Sequence, residues 1–356
     1  MSKKIFAVLI LFSANFALVF SVFAQSAQKT QSAQENPQIN YAEPSLREED
    51  KVEFSEVWAW VITGGERDFT SNKNVSDLCY FSADINSYGE ITNFPDPTIF
   101  KNYKGRKHLV VTCSGYALTH TVLNPKYDER NKIISSIVKN SKTYDGVQID
   151  FETILSKDDK YFLSFIKTLR KKLPKDKMFT ICVPARNKSI QNDIFDYALI
   201  EPFVDRIIIM AYDQHWSTSE PGPVAGKSWC QGIINYAQTV IPQEKLVMGL
   251  PFYGRSWQDT SFNKAWLNSG VNRIIGENQI TEIKRYEDIP HTEFETTIKV
   301  NLWWDDTFSL VKRLQMYQEN SVDKVAFWRI GQEENSFWNW ISLNEDFFNS
   351  NLEQVR

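Results

Sequence analysis

Eight short apolar segments recur along this chain of 356 residues, and most of them are continuous enough to form buried β-strands. They lie at residues 57–63, 78–83, 108–114, 146–152, 178–185, 206–213, 246–254 and 324–331. Amphipathic segments with helical periodicity separate many of them, at 128–141, 158–173, 229–241 and 307–319. Strands that alternate with helices in sequence pair in parallel, so the pattern predicts an α/β fold.

Eight such units over about 300 residues match a (β/α)8 barrel, which typically needs ~250 residues plus insertions. An open, doubly wound sheet is the structural rival. No glycine-rich phosphate loop follows the first strand, so a nucleotide-binding open sheet has no support. The first two units lack a clear helix, since residues 66–74 and 86–102 have the composition of loops.

The first 50 residues do not have the composition of a folded domain. Residues 1–24 have the charged start, apolar stretch and small-residue end of a secretory signal peptide, with a retained membrane anchor as the alternative. Residues 25–50 are polar and predict a disordered tether, which leaves 51–349 for the barrel. We therefore expect an exported protein, periplasmic, at the cell surface or extracellular, with no stable membrane span after signal cleavage.

The charge and the metal-ligating residue types exclude several function classes. A net charge of −4 and a pI near 5.7 do not indicate the basic surface that is typical of nucleic-acid-binding proteins. The four histidines show no paired metal-ligand spacing, so we expect neither a metal nor another cofactor.

Disulfides are permitted in an exported protein, and the cysteines allow three complete pairings. These cysteines are Cys79, Cys113, Cys182 and Cys230.

The fourth apolar segment carries two acids on one of its faces. Side chains alternate along a strand, so Gln148, Asp150 and Glu152 point one way while the apolar residues between them point the other. Burying such groups without partners or a ligand costs several kcal/mol, about 2–7 kcal/mol for an unbonded polar group. A half-exposed strand with a solvated acidic face is the alternative.

Polar and aromatic residues also gather at the ends of other predicted strands. In a (β/α)8 barrel the C-terminal strand ends meet at one mouth, where the chemistry of such enzymes takes place. The fourth, sixth, seventh and eighth strands would bring together Asp150, Glu152, Met210, Tyr212, Asp213, Tyr253, Arg255 and Trp328. A solvated face does not explain this convergence, so a catalytic or binding site is favoured.

Four ordered motifs resemble those of glycoside hydrolase family 18. They are Asp-Gly-Val-Gln-Ile-Asp-Phe-Glu at 145–152, Met-Ala-Tyr-Asp at 210–213, Gly-Leu-Pro-Phe-Tyr-Gly-Arg at 249–255, and Trp328. The resemblance covers nearly the whole mature chain, from about residue 52 to residue 340. A weaker likeness, at 303–306 and 327–333, is to a bacterial branch with members directed at spore cortex and peptidoglycan.

The resemblance implies retaining hydrolysis of a β-1,4 bond next to N-acetylglucosamine, in which the acetamido oxygen of the substrate is the nucleophile. In the family pattern Glu152 is the general acid, Asp150 orients the acetamido group, and Tyr212 donates a hydrogen bond to its carbonyl. Asp213 contacts the same sugar and Trp328 lies under it. We expect further substrate contacts from the remaining candidates, which are Gln148, Met210, Tyr253 and Arg255.

The chain departs from the chitinase pattern at two places. Gln148 stands where the family usually has a third carboxylate, and an amide cannot take up and return a proton. The same branch often has an amide here, so Gln148 indicates a variant proton network and not an inactive protein. The third strand ends in Cys-Ser-Gly-Tyr at 113–116 in place of Ser-x-Gly-Gly, which puts the outer sugar contacts in question.

The connection at 257–301 is too long for a plain link between strands seven and eight. Segments 283–286 and 296–302 favour a hairpin that resembles a shortened form of the small α+β insertion of some family members. The alternative is a helix and a loop with no role.

The substrate and the activity retain alternatives. Peptidoglycan, chitin oligosaccharides and the core of N-linked glycans are all N-acetylglucosamine polymers or glycans that such a site accepts. A sugar-binding barrel without turnover is the rival from another class. The presence of both Asp150 and Glu152 favours an enzyme.

Overall fold

A computed structural model describes residues 44–86, 88–259 and 266–344. The predicted signal peptide, most of the predicted tether and residues 345–349 of the predicted barrel lie outside the described residues. The tether boundary differs from the expectation, because Glu48–Asp50 form a 3-10 helix and Asp50 is buried. Lys312 donates to the Asp50 carboxylate at 2.6 Å, so the ordered chain starts before residue 51.

Eight parallel strands close into a barrel, which confirms the predicted fold. They are β1 (Glu56–Ile62), β2 (Asp77–Ile85), β3 (Arg106–Cys113), β4 (Gly146–Phe151), β5 (Met178–Pro184), β6 (Arg206–Met210), β7 (Leu246–Pro251) and β8 (Lys324–Trp328). Each strand pairs with the next along the chain, and β8 pairs back with β1 in parallel register. All eight predicted segments therefore become barrel strands.

The described residues contain seven α-helices, and those with buried side chains cover the outside of this barrel. The seven helices are α1 (Tyr116–Leu123), α2 (Asp128–Asn140), α3 (Asp159–Lys172), α4 (Tyr197–Ile200), α5 (Lys227–Ala237), α6 (Asn268–Glu277) and α7 (Thr307–Glu319). In α3 the buried side chains recur at helical spacing (Phe162, Phe165, Ile166 and Leu169), which places one apolar stripe against the strands. Asp306 caps α7 by accepting from the Ser309 N–H at 2.7 Å.

The first two connections contain no α-helix within their described residues, in line with their loop-like composition. The first has the 3-10 turn Glu66–Asp68, and the second has the short strand Ile91–Thr92 and the 3-10 turn Pro97–Phe100. The mouth of the barrel is therefore bordered on this side by loops.

The connection between β7 and β8 contains α6 and two antiparallel pairs, and its predicted hairpin is wrong. Lys284–Tyr286 pairs with Ile289–His291, whereas Val300–Trp303 pairs with Arg255–Gln258. Both residues of the two-residue turn at 287–288 have positive φ, 48° and 66°, which is the backbone of a tight hairpin turn. This turn therefore pairs Lys284–Tyr286 with Ile289–His291, and not with the predicted segment 296–302.

The N-terminal end of the barrel is filled by paired charges. Glu56 accepts from Arg206 at 2.6 Å and from Arg106 at 2.9 Å. Asp77 contacts Arg106 at 2.6 Å and the His108 Nε2 at 2.7 Å. Buried charges are tolerated only when paired in this way, so this end is closed and the C-terminal mouth remains for chemistry.

All four cysteines are free and buried, so none of the three complete disulfide pairings forms. Cys79 and Cys182 lie in the barrel interior with Trp58 and Trp60, whereas Cys113 and Cys230 lie in the layer between strands and helices. The thiols therefore act as small core side chains in this fold.

Candidate active site

A cleft of about 400 Å³ opens at the C-terminal mouth of the barrel. Its lining includes eight of the nine predicted site residues; the exception is Gln148. The lining residues are Phe81, Asp150, Glu152, Met210, Tyr212, Asp213, Tyr253, Gly254, Arg255, Trp328 and Gln332. The strand ends that were separate in sequence are thus brought to one place.

Asp150 lies on β4 at the base of this cleft, with only 7% of its surface exposed. Its Oδ1 atom is buried and has no hydrogen-bond partner among the described residues. The pKa of this carboxyl is raised to about 7, chiefly by burial and then by the negative charge of Glu152, while a hydrogen bond with Cys182 opposes the shift. The carboxyl is therefore protonated below neutral pH and about half protonated near pH 7.

Glu152 follows β4 directly and its side chain borders the cleft. Desolvation raises its pKa, and the charge of Asp213 adds to this. No described residue donates a hydrogen bond to its carboxyl group, which leaves that group available to a ligand. Thr153 anchors the chain just beyond, since its hydroxyl accepts from the Gly115 N–H at 2.7 Å. Two neighbouring acids with raised pKa titrate as a coupled pair, so one of them carries a proton that it can donate.

Tyr212 follows β6 and points into the same space. Burial keeps its pKa well above the ordinary value, so its hydroxyl is neutral and can donate a hydrogen bond. Gly249 on β7 makes room for it, because a Cβ there would lie 3.1 Å from the Tyr212 ring and 2.7 Å from the Ile209 carbonyl oxygen. The position of the phenol thus depends on a glycine in a neighbouring strand.

Asp213 has a positive φ of 57° and is held by two residues from the end of β7. Its Oδ1 accepts from the Tyr253 hydroxyl at 2.5 Å and from two nitrogens of Arg255 at 2.6 and 2.9 Å. Tyr253 and Arg255 therefore fix the Asp213 carboxylate beside Tyr212, in addition to lining the cleft. A small aspartate with local hydrogen bonds is among the few residue types that tolerate this backbone conformation.

Trp328, at the end of β8, is packed by two aromatic rings. It meets Phe81 edge to face at a centroid distance of 5.0 Å and Trp60 at 5.8 Å. This packing holds the half-buried indole against the cleft, where a flat apolar surface suits a sugar ring.

Sequence reasoning missed Phe81, Gly254 and Gln332 as cleft residues. Phe81 is the aromatic residue near the end of the second apolar segment, so the rule that placed the other candidates at strand ends applied to it too. Gln332 lies in the 327–333 motif but was given no role. Its exposed side chain reaches the cleft from the loop after β8. The alternation of side chains along a strand does not apply to a loop, so it could not predict this position.

The structure corrects the expected substrate contact of Gln148. This side chain is fully buried beneath the cleft, where its Oε1 accepts from Trp60 Nε1 at 2.7 Å. Its amide nitrogen donates to Thr180 Oγ1 at 3.3 Å and to Cys79 Sγ at 3.5 Å. Two residues of strand span about 6–7 Å, so Gln148 shares the face of Asp150 but lies one layer deeper.

The family model for glycosyl hydrolases family 18 matches residues 19–333. The chain belongs to glycoside hydrolase family 18. The family resemblance of the ordered motifs is therefore confirmed.

Two curated relatives are bacterial. The sporulation-specific glycosylase YdhD of Bacillus subtilis is 27% identical over 238 residues, which is 62% of this chain and 56% of that protein. The cortical fragment-lytic enzyme of Bacillus anthracis is 24% identical over 233 residues, 61% of this chain and 54% of that protein. The chain thus spans little more than half the length of these relatives.

Solved structures show the same fold. The spore cortex-lytic enzyme SleL of Bacillus cereus superposes with a TM-score of 0.66 at 19% identity, covering 83% of this chain and 76% of that one. A class V chitinase of Pseudomonas fluorescens Pf-5 gives 0.62 at 23% identity, covering 84% and 99%.

Proposed function

We propose that this protein is a glycosidase that hydrolyses β-1,4 bonds next to N-acetylglucosamine with retention, through nucleophilic attack by the acetamido group of the substrate. The observation that carries the proposal is the buried Asp150 beside Glu152, both with raised pKa, facing a cleft that also contains Tyr212. A retaining enzyme with its own nucleophile instead needs two carboxyl groups on opposite sides of the bond, about 5–5.5 Å apart.

In the proposed reaction protonated Glu152 donates its proton to the leaving glycosidic oxygen as the bond to the anomeric carbon breaks. The acetamido oxygen bonds to that carbon and forms a cyclic intermediate. Asp150 accepts a hydrogen bond from the acetamido N–H, and the Tyr212 hydroxyl donates to the acetamido oxygen. Glu152, now a carboxylate, then takes a proton from the water that opens the ring, which restores the enzyme.

Peptidoglycan is the substrate class we propose first. The cortex-lytic relatives support it by their names, and the likeness at 303–306 and 327–333 supports it from sequence. Chitin oligosaccharides and N-linked glycans share the N-acetylglucosamine unit and are the alternatives.

Incubation of the purified protein with peptidoglycan, chitin oligosaccharides and a high-mannose glycoprotein, followed by mass spectrometry of the products, tests this choice. We expect peptidoglycan fragments that end in N-acetylglucosamine and that are released as the β-anomer. Products that end in N-acetylmuramic acid, or release of the α-anomer, would contradict the proposal. Binding to a glycan without cleavage would instead indicate a sugar-binding barrel.

We also propose that the protein is exported, because a peptidoglycan substrate lies outside the cytoplasmic membrane and 1–24 have the composition of a signal peptide. None of the described helices is long and apolar enough to cross a membrane. N-terminal sequencing of the protein from fractionated cells should give a start near Gln25. Recovery of chains that retain Met1 from the cytosol would contradict export.

A further inference from the structure

We propose that a second pocket beside the cleft binds another sugar unit of the same glycan strand, an inference that rests on the proposed function. The pocket has a volume of about 390 Å³, within the ~300–1,000 Å³ range of ligand sites. It shares Tyr253, Gly254 and Gln332 with the reaction cleft, so these three residues line both spaces.

One wall of this pocket is an exposed tryptophan. Trp304 has 57% of its surface exposed, although indole is among the side chains that gain most from burial. Gly254 lets it come this close, because a Cβ on Gly254 would lie 2.6 Å from the Trp304 Cβ and 2.6 Å from the Trp303 carbonyl oxygen. The absence of a side chain at Gly254 thus brings an uncovered aromatic face to the edge of the cleft.

The base of the pocket is apolar and its rim is polar. Phe252 and Leu310 lie at the base, where only 3% and 2% of their surfaces are exposed. At the rim Glu334 accepts from the Thr307 N–H at 3.2 Å through Oε2. No described residue donates to its Oε1, so this oxygen can accept a hydrogen bond from a ligand.

A second carboxylate of the pocket is fixed by the fold. Asp305 forms a buried ion pair with Arg313 at 2.6 Å and accepts from the Ser309 hydroxyl at 2.8 Å. Because this charge is balanced, the pocket does not require a cationic ligand.

These features together suit a pyranose ring. The apolar face of such a ring stacks on indole, and its hydroxyl groups donate to fixed carboxylate and amide oxygens. A free monosaccharide would satisfy the same groups, but the three shared lining residues place the pocket directly next to the cleft. A strand that occupies the reaction cleft therefore reaches it with another of its own units, and binding there favours long substrates over short ones.

The test uses binding by calorimetry in a Glu152→Gln background, which prevents turnover. The probes are N-acetylglucosamine oligomers and peptide-free peptidoglycan strands, each as a length series that starts from the disaccharide. We expect Trp304→Ala to weaken binding of the long members about five- to tenfold and to leave the disaccharide within about twofold. Trp303→Ala is the matched control, since Trp303 is the adjacent residue and is 44% exposed but does not line the pocket.

Equal weakening at every length would place Trp304 in the reaction cleft and overturn the separate subsite. An unchanged affinity of the Trp304→Ala protein for long strands would overturn it as well. If the parent protein binds neither series at any length, the proposed function fails first and the subsite fails with it. Thermal melting of each variant separates these outcomes from loss of fold.

Discussion

The Glu152→Gln protein is expected to lose about 10²- to 10⁴-fold in kcat while it stays folded and still binds glycan. Glutamine has nearly the same shape as glutamate but carries no acid proton, so the leaving oxygen departs without protonation. The side chain borders the cleft, and no described residue donates a hydrogen bond to it, so its replacement breaks no internal contact. Turnover of the substrate that the wild type cleaves, together with calorimetric binding of the same glycan, measures both effects.

Glu244→Gln is the matched control for this variant. Glu244 is exposed in the turn Gln243–Lys245 before β7, at the opposite end of the barrel from the cleft. The control should keep wild-type turnover. More than a tenth of wild-type turnover in the Glu152→Gln protein would show that another group supplies the acid proton.

The stability of the wild type should fall between about pH 4 and pH 7 relative to an Asp150→Asn variant. In the folded protein the pKa of Asp150 is raised from 3.8 to about 7, chiefly by burial and then by Glu152. Because its pKa is raised on folding, Asp150 contributes most to the free energy of unfolding when it is protonated in both the folded and the unfolded state. That contribution is lost as pH rises from the unfolded to the folded pKa, because the unfolded state ionises first.

The expected loss is on the order of 4 kcal/mol, since the pKa rises from 3.8 to about 7 and each pKa unit corresponds to about 1.4 kcal/mol. Asparagine resembles the protonated acid and cannot ionise, so below about pH 4 the two proteins should melt alike. Above about pH 7 the variant should be the more stable one. Thermal melting of both proteins across this range measures the difference, which includes the coupling of Asp150 to Glu152.

Melting curves that keep a constant separation from pH 4 to pH 8 would contradict the raised pKa of Asp150. If the wild type instead becomes more stable than the variant as pH rises, folding stabilises the ionised form of Asp150. A lower activity of the Asp150→Asn protein is expected in either case, because asparagine cannot share a proton with Glu152.

Much of the fold follows from local sequence patterns. The positions of the eight strands and of four helices could be predicted, because buried parallel strands are continuously apolar and helices repeat every 3.6 residues. The common orientation of Asp150 and Glu152 follows from strand alternation. The rule that strand ends meet at one mouth then placed eight candidates in one cleft before any contact was known.

Other features depend on contacts between residues that are distant in sequence. Strand alternation gives the face on which Gln148 lies but not its depth, and only the closed barrel places it among Trp60, Cys79 and Thr180. The partners of the strands between β7 and β8 depended on a two-residue turn at 287–288, which has no apolar pattern.

The sequence by itself therefore determined the barrel, its mouth and the pair of acids, because periodicity and strand direction are local properties that tertiary packing preserves. Only the tertiary structure decided which neighbours those acids have. The raised pKa of Asp150 requires burial by the surrounding strands. The hydrogen bonds from Tyr253 and Arg255 to Asp213 require β6 and β7 to be neighbours. Desolvation and hydrogen-bond geometry arise from groups brought together across the fold, and these decide how the acids behave.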